Sequence, residues 1–493
     1  MGFLVMILTA VVVVHVYLWR RLVRASTTPG SRLRRVLTWT LVVLAALMVV
    51  TMAGSRISGV EVVRVVAWPG YLWLALMFYL FVFGLVAEVP RAIAAFALAR
   101  GRRTAAGTPP EDRAQDGPAT GAQDGPDGGP GTGAVDAVPM DAVPVDASVL
   151  ARTAAGESPA VSHSAVSGPA ASSSAASGSA ASEIASAGTA ARGSASAGGP
   201  AGEGPGAGAP AMDRRLFVSR TASAVVAAGA LATVGYGVTR ALGDPVIERV
   251  PVRLPRLDPR MSGLRIAAVS DIHLGPLTGR GHTERIVRMI NGLRADVVTI
   301  VGDLVDGTVA ELGRLATPLR SLESRYGAYF VTGNHEYYTA EGPQEWIEEL
   351  RSLGVRPLRN ERVEITHGGA VLDLAGVNDL GGVPSGDGPD LDKALGGRDA
   401  NRPVVLLAHQ PVQVAQAAAH GVDLQLSGHT HGGQMAPFNL LVTLQQPVVA
   451  GLASVPRAGG GDTQVYVTRG AGFWGPPVRV GAPPEITLIE LRA

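Results

Sequence analysis

The sequence predicts an α/β domain at the carboxyl-terminal end of the chain, preceded by an all-α membrane region and a low-complexity linker. Three observations point there. Long apolar runs crowd the first hundred positions, an Ala/Gly/Ser/Pro-rich stretch follows, and after about residue 247 short β-rich runs alternate with amphipathic ones. A chain of 493 residues exceeds what one compact core normally holds, so separate regions are expected. The boundaries read as 1–100 for the membrane region, 101–212 for the linker, 213–242 for a further apolar helix and 247–493 for the α/β domain.

Composition narrows the chemistry before any motif is considered. The 42 basic and 41 acidic residues nearly cancel, so no global charge favours nucleic acid, and none is expected as a partner. Cysteine is absent, which excludes disulfides, thiolate metal sites and cysteine nucleophiles. Any metal must be held by nitrogen and oxygen.

Residues 1 to 19 are nearly uncharged and end in Tyr17, Leu18 and Trp19 before Arg20 and Arg21, the aromatic and cationic edge of a spanning helix. Further spans are read over Val36 to Met52 and from about Val66 to Ala87. From Gly101 to Ala211 large apolar residues almost vanish, and such a segment cannot bury enough surface to offset its ordering entropy. Thr221 to Val238, preceded by Arg214 and Arg215, reads either as a fourth span or as a twin-arginine-like signal anchor. Arginine is dense after the first and third spans and sparse between the second and third. The positive-inside rule then places the amino terminus outside, the linker inside and the α/β domain outside a cell membrane crossed several times.

Strands are expected at 264–269, 297–301, 328–331, 404–408, 422–426 and 465–468, with helices at 282–293 and 344–353. Polar residues gather where these strands end. The first runs into Asp271-Ile272-His273, the second into Gly302-Asp303-Leu304-Val305-Asp306, the third into Gly333-Asn334-His335-Glu336. Later runs end in His409 and in Gly428-His429-Thr430-His431. In an open α/β sheet the strand carboxyl ends line a common crevice, so these loops are expected to face one another. His163, His282, His367 and His420 lie outside this pattern and are not assigned to metal.

This order of motifs, D-x-H, GD-x-x-D, GNH-E, a lone H and GH-x-H across about 260–435, strongly resembles the calcineurin-like metallophosphoesterase superfamily. The tail from Tyr466 to Thr487 resembles its membrane-associated bacterial branch. The resemblance implies a four-layer α/β/β/α sandwich and a hydrolase of phosphodiester, pyrophosphate or phosphomonoester bonds; lipid-linked substrates are expected from the membrane anchoring and from the apolar segment Pro437 to Val449 after the last motif, a candidate lip over the site or else ordinary core. The resemblance also implies two divalent cations, drawn from Mn, Fe, Zn or Mg. Asp271, His273 and His431 would hold one, Asn334, His409 and His429 the other, with Asp303 between them. The pair would activate a shared water as the nucleophile. His335 would then protonate the departing oxygen or bind the phosphoryl group, or orient a neighbour instead. Asp306 would fix a ligating imidazole, and Arg469 and Arg479 are candidate phosphate contacts. A protein serine/threonine phosphatase and a non-enzymatic scaffold on the same fold are the alternatives.

Overall fold

In a computed structural model, residues 2–54, 60–105 and 214–493 are described. The expected linker falls almost wholly outside them. The membrane region begins with α1 (Gly2–Leu18), prolonged by a π-helical turn at Trp19–Arg24, and continues with α2 (Arg32–Gly54) and α3 (Val60–Ala105). α4 (Arg214–Leu242) follows the undescribed stretch. Among the described residues, three segments are long and apolar enough to cross a membrane, Arg32–Met52, Val65–Pro90 and Leu216–Leu242. The helices share a core in which Leu18, Met48, Trp73, Ala230 and Val234 are buried together.

Only Gly243, Asp244 and Pro245 separate α4 from the first strand of the α/β domain. That domain has two six-stranded mixed sheets. The first contains β1 (Val246–Arg253), β2 (Arg265–Val269), β3 (Val297–Val301), β4 (Ala328–Val331), β5 (Val355–Pro357) and β12 (Glu485–Arg492), in the order β1-β12-β2-β3-β4-β5. The second contains β6 (Glu361–His367), β7 (Ala370–Gly376), β8 (Val404–Leu407), β9 (Leu424–Ser427), β10 (Gly451–Pro456) and β11 (Asp462–Val467), in the order β10-β11-β9-β8-β7-β6. Within each sheet the site-bearing strands run parallel: β2, β3 and β4 in one, β8 and β9 in the other. Their carboxyl ends therefore open to the same side.

The period-2 alternation of a strand explains the layering. Ile266 and Ala268 of β2 point between the sheets, where they meet Val405, Leu407, Leu424 and Leu426. Ala267 and Val269 point outward, under Ile286 and Ile290 of α5 (Arg280–Gly292), Leu312 of α6 (Val309–Ala316) and Trp346 and Leu350 of α7 (Gln344–Ser352). The second sheet has its own cover in α8 (Leu391–Leu395) and α9 (Val414–Ala419), packed on Val404 and Leu406. Burial on both faces is why these strands read as continuous apolar runs and not as alternating ones. The result is the four-layer α/β/β/α arrangement expected from the sequence.

The expected strands and helices are present, with ends shifted by a few residues at most. The strands without a sequence expectation are β1, β5, β6, β7, β10 and β12. β12 had been read only as tail, yet it lies beside β2, and β1 adds to it in parallel along its whole length.

Trp346 is fully buried beneath the first sheet, its indole N–H donating to the Gly307 carbonyl at 2.7 Å. Trp346→Ala is expected to destabilise the domain by about 3–5 kcal/mol, read as a lowered unfolding midpoint of the full chain in detergent.

Candidate metal centre

The turns after β2, β3 and β9 share an uncommon backbone. Asp271, His273, Asp303, His429 and His431 all adopt left-handed φ, between 48° and 70°. Side chains other than glycine avoid this region, and each such residue is disfavoured by about 1 kcal/mol or more, so their concentration in one crevice marks a place where local comfort yields to side-chain placement. Gly333 makes the close approach possible. A Cβ there would overlap the Asp303 carboxylate and lie 2.4 Å from its backbone nitrogen.

Three overlapping groups result. Asp271, His273 and His431 form one, Asp303, His409 and His429 another, and His273, Asp303 and His335 a third, each with candidate ligand atoms within 4.8 Å of one another. Asp303 belongs to two of them. Its Oδ2 is 3.2 Å from His409 Nε2, 3.8 Å from His273 Nε2 and 3.9 Å from His335 Nε2. Asp271 Oδ1 lies 3.3 Å from His431 Nε2. Asn334 sits at the same edge, its Nδ2 donating to Tyr338 Oη at 2.8 Å while its buried Oδ1 makes no hydrogen bond. Seven of the residues expected at the site, Asp271, His273, Asp303, His335, His409, His429 and His431, come together in this crevice.

Hydrogen bonds fix which ring nitrogen faces inward. Asp306 Oδ1 is 2.8 Å from His273 Nδ1 and 2.7 Å from His335 Nδ1, so both rings donate to it and present Nε2 to the centre. His409 Nδ1 donates to the Val301 carbonyl at 2.8 Å, and its Nε2 also turns inward. His273 Nε2 and His431 Nε2 face each other at 3.0 Å. Two such lone pairs repel unless a proton or a cation lies between them. Buried oxygens and imidazole nitrogens converging in this way fit divalent cations with N/O preference, and their chemistry selects no single metal.

The electrostatics agree. Burial, reinforced by His409, pushes His429 down to about 4, and burial with Arg479 nearby holds His431 well below the usual histidine range. These imidazoles keep their lone pairs at neutral pH. Burial works against protonation of His335 as well, but Asp303 and Asp306 overcome it and raise the ring to about 9. Asp306 is held below the usual carboxylate range despite its burial, because His273 and His335 both face it.

Two carboxylates carry roles that the sequence did not assign: Glu336, quoted there only as part of a motif, and Asp379, not singled out at all. Glu336 accepts backbone N–H groups from Gly333 at 2.6 Å, Leu304 at 2.8 Å, Asp303 at 3.1 Å and Val305 at 3.3 Å, clamping the β3 and β4 turns together. Burial, then the adjacent Asp303 charge, pushes its carboxyl up to about 7. Asp379, after β7, accepts from Gly381 N at 2.7 Å and Gln410 Nε2 at 2.9 Å, with its second oxygen buried and without a hydrogen bond. The arginine expectation needs correction. Arg479 is fully buried and donates to the carbonyls of His431 at 2.7 Å and Gly472 at 2.5 Å, while Arg469 pairs with Glu248 and Glu485 at 2.5 Å each. Arg479 braces loops and Arg469 ties its own loop to β1 and β12, so neither guanidinium is offered to a substrate phosphate.

Residues 264–433 match the family model described as calcineurin-like phosphoesterase. A transmembrane protein with metallophosphoesterase domain from Bos taurus is 43% identical over 290 residues, covering 57% of this chain and 64% of that protein, just under two thirds of its length. An uncharacterised metallophosphoesterase of Helicobacter pylori strain J99 is 41% identical over 266 residues, 53% of this chain and 68% of its own. One from Aquifex aeolicus is 33% identical over 248 residues, 50% of this chain and 91% of its own.

Glu336→Gln turns an amide NH2 toward backbone donors that a carboxylate oxygen had accepted. A loss of about 1–3 kcal/mol in thermal unfolding is expected, with metal affinity lowered about 10–100-fold in a Mn²⁺ titration.

Proposed function

Since this chain belongs to the calcineurin-like metallophosphoesterases, we propose that it is a membrane-anchored dinuclear hydrolase of phosphodiester, pyrophosphate or phosphomonoester bonds, lipid-linked ones included. The observation that carries this reading is the pair of histidine-aspartate groups meeting at Asp303. Asp271, His273 and His431 would hold one cation and Asn334, His409 and His429 the other, with Asp303 available to both. When bound, such a pair lowers the pKa of water and offsets the charge that builds on phosphoryl oxygens.

The remaining chemistry belongs to the chain. Asp271 and Asp303 supply the negative charge that makes binding two cations tolerable. Asp306 keeps His273 and His335 in one tautomer, and His335 Nε2 carries the proton that a departing alkoxide needs. Tyr338 and Trp474 flank that ring at centroid distances of 4.7 and 6.0 Å and limit water on its outer side. A protein phosphatase would need a docking surface for a peptide, and extracytoplasmic placement disfavours it.

The placement itself rests on arginine and on contacts of α4. The connection from α1 to α2 carries the dense arginines, and α4 touches it near its own amino end, Arg220 Nε donating to the Ser26 carbonyl at 3.0 Å. The carboxyl end of α4, from which the catalytic domain continues, then lies at the opposite, external face. Val226, Ala230 and Val234 bury α4 in the helix bundle, which favours a resident span over a cleaved signal, in the bacterial membrane-associated branch of the family.

Asp303→Asn is expected to lower phosphoester hydrolysis at least about a thousandfold and to reduce bound metal measured by elemental analysis. His335→Asn should retain metal but lower kcat for alkyl esters by about 10²–10⁴, with a smaller loss on p-nitrophenyl esters, whose leaving oxygen needs no proton. Protonated His335 is the active form. Activity should therefore fall as pH rises through the titration of this ring, which Asp306 holds above the usual histidine range, and this alkaline limb should vanish in His335→Asn. Equal losses on both ester classes would remove His335 from the proton-donor role.

A further inference from the structure

From Gly432 to Pro456 the chain carries no charged residue. In its middle lies the short helix α10 (Asn439–Val442), around which Leu440, Leu441 and Leu444 are 66, 55 and 79% exposed and Phe438 is 47% exposed. Apolar surface left in water forgoes about 25 cal/mol for each Å², so a contiguous cluster of this kind signals a partner. Nor is the segment loose. Its start is held by Ala436 N donating to Val480 O and Val480 N donating to Gln434 O, both at 2.9 Å. Its end is held by Val412 N on Gln446 Oε1 at 3.0 Å and by Thr430 Oγ1 on the Val449 carbonyl at 2.6 Å.

What holds it also places it. Val478 and Val480 pack into the same apolar cluster as Trp73, Val226 and Val234 of the membrane helices, with Met435 beside them. Arg479 N donates to the Gly237 carbonyl at 2.9 Å, and a Cβ on Gly237 would meet Val478 Cγ1 at 2.5 Å. Gly237 belongs to the last part of the span Leu216–Leu242. The uncharged segment therefore leaves the catalytic domain beside the point where α4 leaves hydrocarbon. Trp474, 58% exposed, completes the rim: its carbonyl accepts from Gln434 Nε2 at 2.9 Å, its N–H donates to Gln434 Oε1 at 3.0 Å, and its ring lies edge-on to His335. The next residue, Gly475, approaches Tyr71 of α3. Tyr71, Gly475 and Trp474 thus lead stepwise from a membrane helix to the candidate proton donor.

We infer that α10 and Trp474 form a lip that enters the bilayer surface beside α4, so that the site takes its phosphoester from the headgroup of a membrane lipid. The occupant is lipid because Met435 and Val480, which anchor the start of this segment, already lie in the apolar cluster of the spanning helices. The carbonyl and amide groups of the lip are tied at both ends, which leaves its tip free to enter the headgroup region without unmaking the domain. Trp474 has the amphipathic character suited to that depth. The substrate half of this inference rests on the phosphoesterase reading; the location of the lip does not.

The cysteine-free chain permits a direct test. Full-length Leu444→Cys, labelled with an environment-sensitive fluorophore, is placed in nanodiscs of phosphatidylcholine and phosphatidylglycerol. A blue-shifted emission quenched by brominated acyl chains is expected. A label at Glu323→Cys, before β4 and thus at the opposite end of the sheet from the metal centre, should stay water-like and unquenched. A water-like Leu444 label overturns the lip, and so does a blue-shifted label that brominated lipid fails to quench, which would indicate a protein surface there.

The second arm uses Mn²⁺-loaded protein in discs containing phosphatidic acid or phosphatidylglycerol, with bis(p-nitrophenyl) phosphate as the soluble comparison. Replacing Leu440, Leu441 and Leu444 together by serine should lower kcat/KM on the lipid probe at least about tenfold and leave the soluble ester within about twofold. Equal losses on both, or a wild-type protein that cleaves only the soluble ester, overturn the lipid-substrate half. If neither probe is cleaved, the phosphoesterase reading itself fails, and the fluorescence result still decides the lip.

Discussion

The constraint on which the rest of the domain depends is the convergence of Asp271 and Asp303 with inward-facing imidazole nitrogens in a crevice almost closed to water. Two carboxylates this deeply buried are tolerable only if positive charge sits among them. In the bare chain His409 partly meets that need: its ring is drawn well above the usual histidine range by Asp303 even though burial opposes it. A pair of divalent cations would meet it far better and would leave the His409 lone pair free for a metal. The left-handed turns at Asp271, His273, Asp303, His429 and His431 are the structural expense of bringing these groups together. Glu336 secures them by gathering four backbone amides from two turns.

Much of this was legible in the sequence because the fold reports itself through strand ends. Buried strands such as Val297–Val301 stand out as apolar runs, and the polar residues that interrupt them must be there for a reason other than packing. That logic picked out Asp303, His409 and the other residues that converge in the crevice. It could not locate what binds to the backbone. Glu336 and Arg479 act on amides and carbonyls, which every residue carries, so no spacing of side-chain types betrays their targets. Arg479 was misjudged for that reason, since an arginine near a phosphate-binding family's motifs resembles a ligand contact until its burial is seen. Asp379 escaped because β7, the strand that delivers it, carries no distinctive pattern beyond its hairpin partner β6.

Strand β12 illustrates another limit. Residues 485–492 pair with β2 and β1, elements more than two hundred positions earlier, and such distant pairing leaves no local trace in the chain. Its consequence is considerable. By pairing with β1 it fastens the domain's last strand to the first one after α4, and the preceding segment at Val478–Val480 touches α4 directly. The metal centre and the membrane helices are therefore linked through short, well-bonded elements, and the rim of the site is built partly on the helix bundle.

The central claim is that two cations share Asp303. Anomalous X-ray scattering from crystals of the Mn²⁺-loaded protein, recorded on either side of the manganese edge, tests it most directly. The account predicts two peaks about 3.5–4 Å apart flanking the Asp303 carboxylate, one beside Asp271 and His431 and the other beside His409 and His429. A single peak, or none within the crevice, would contradict it.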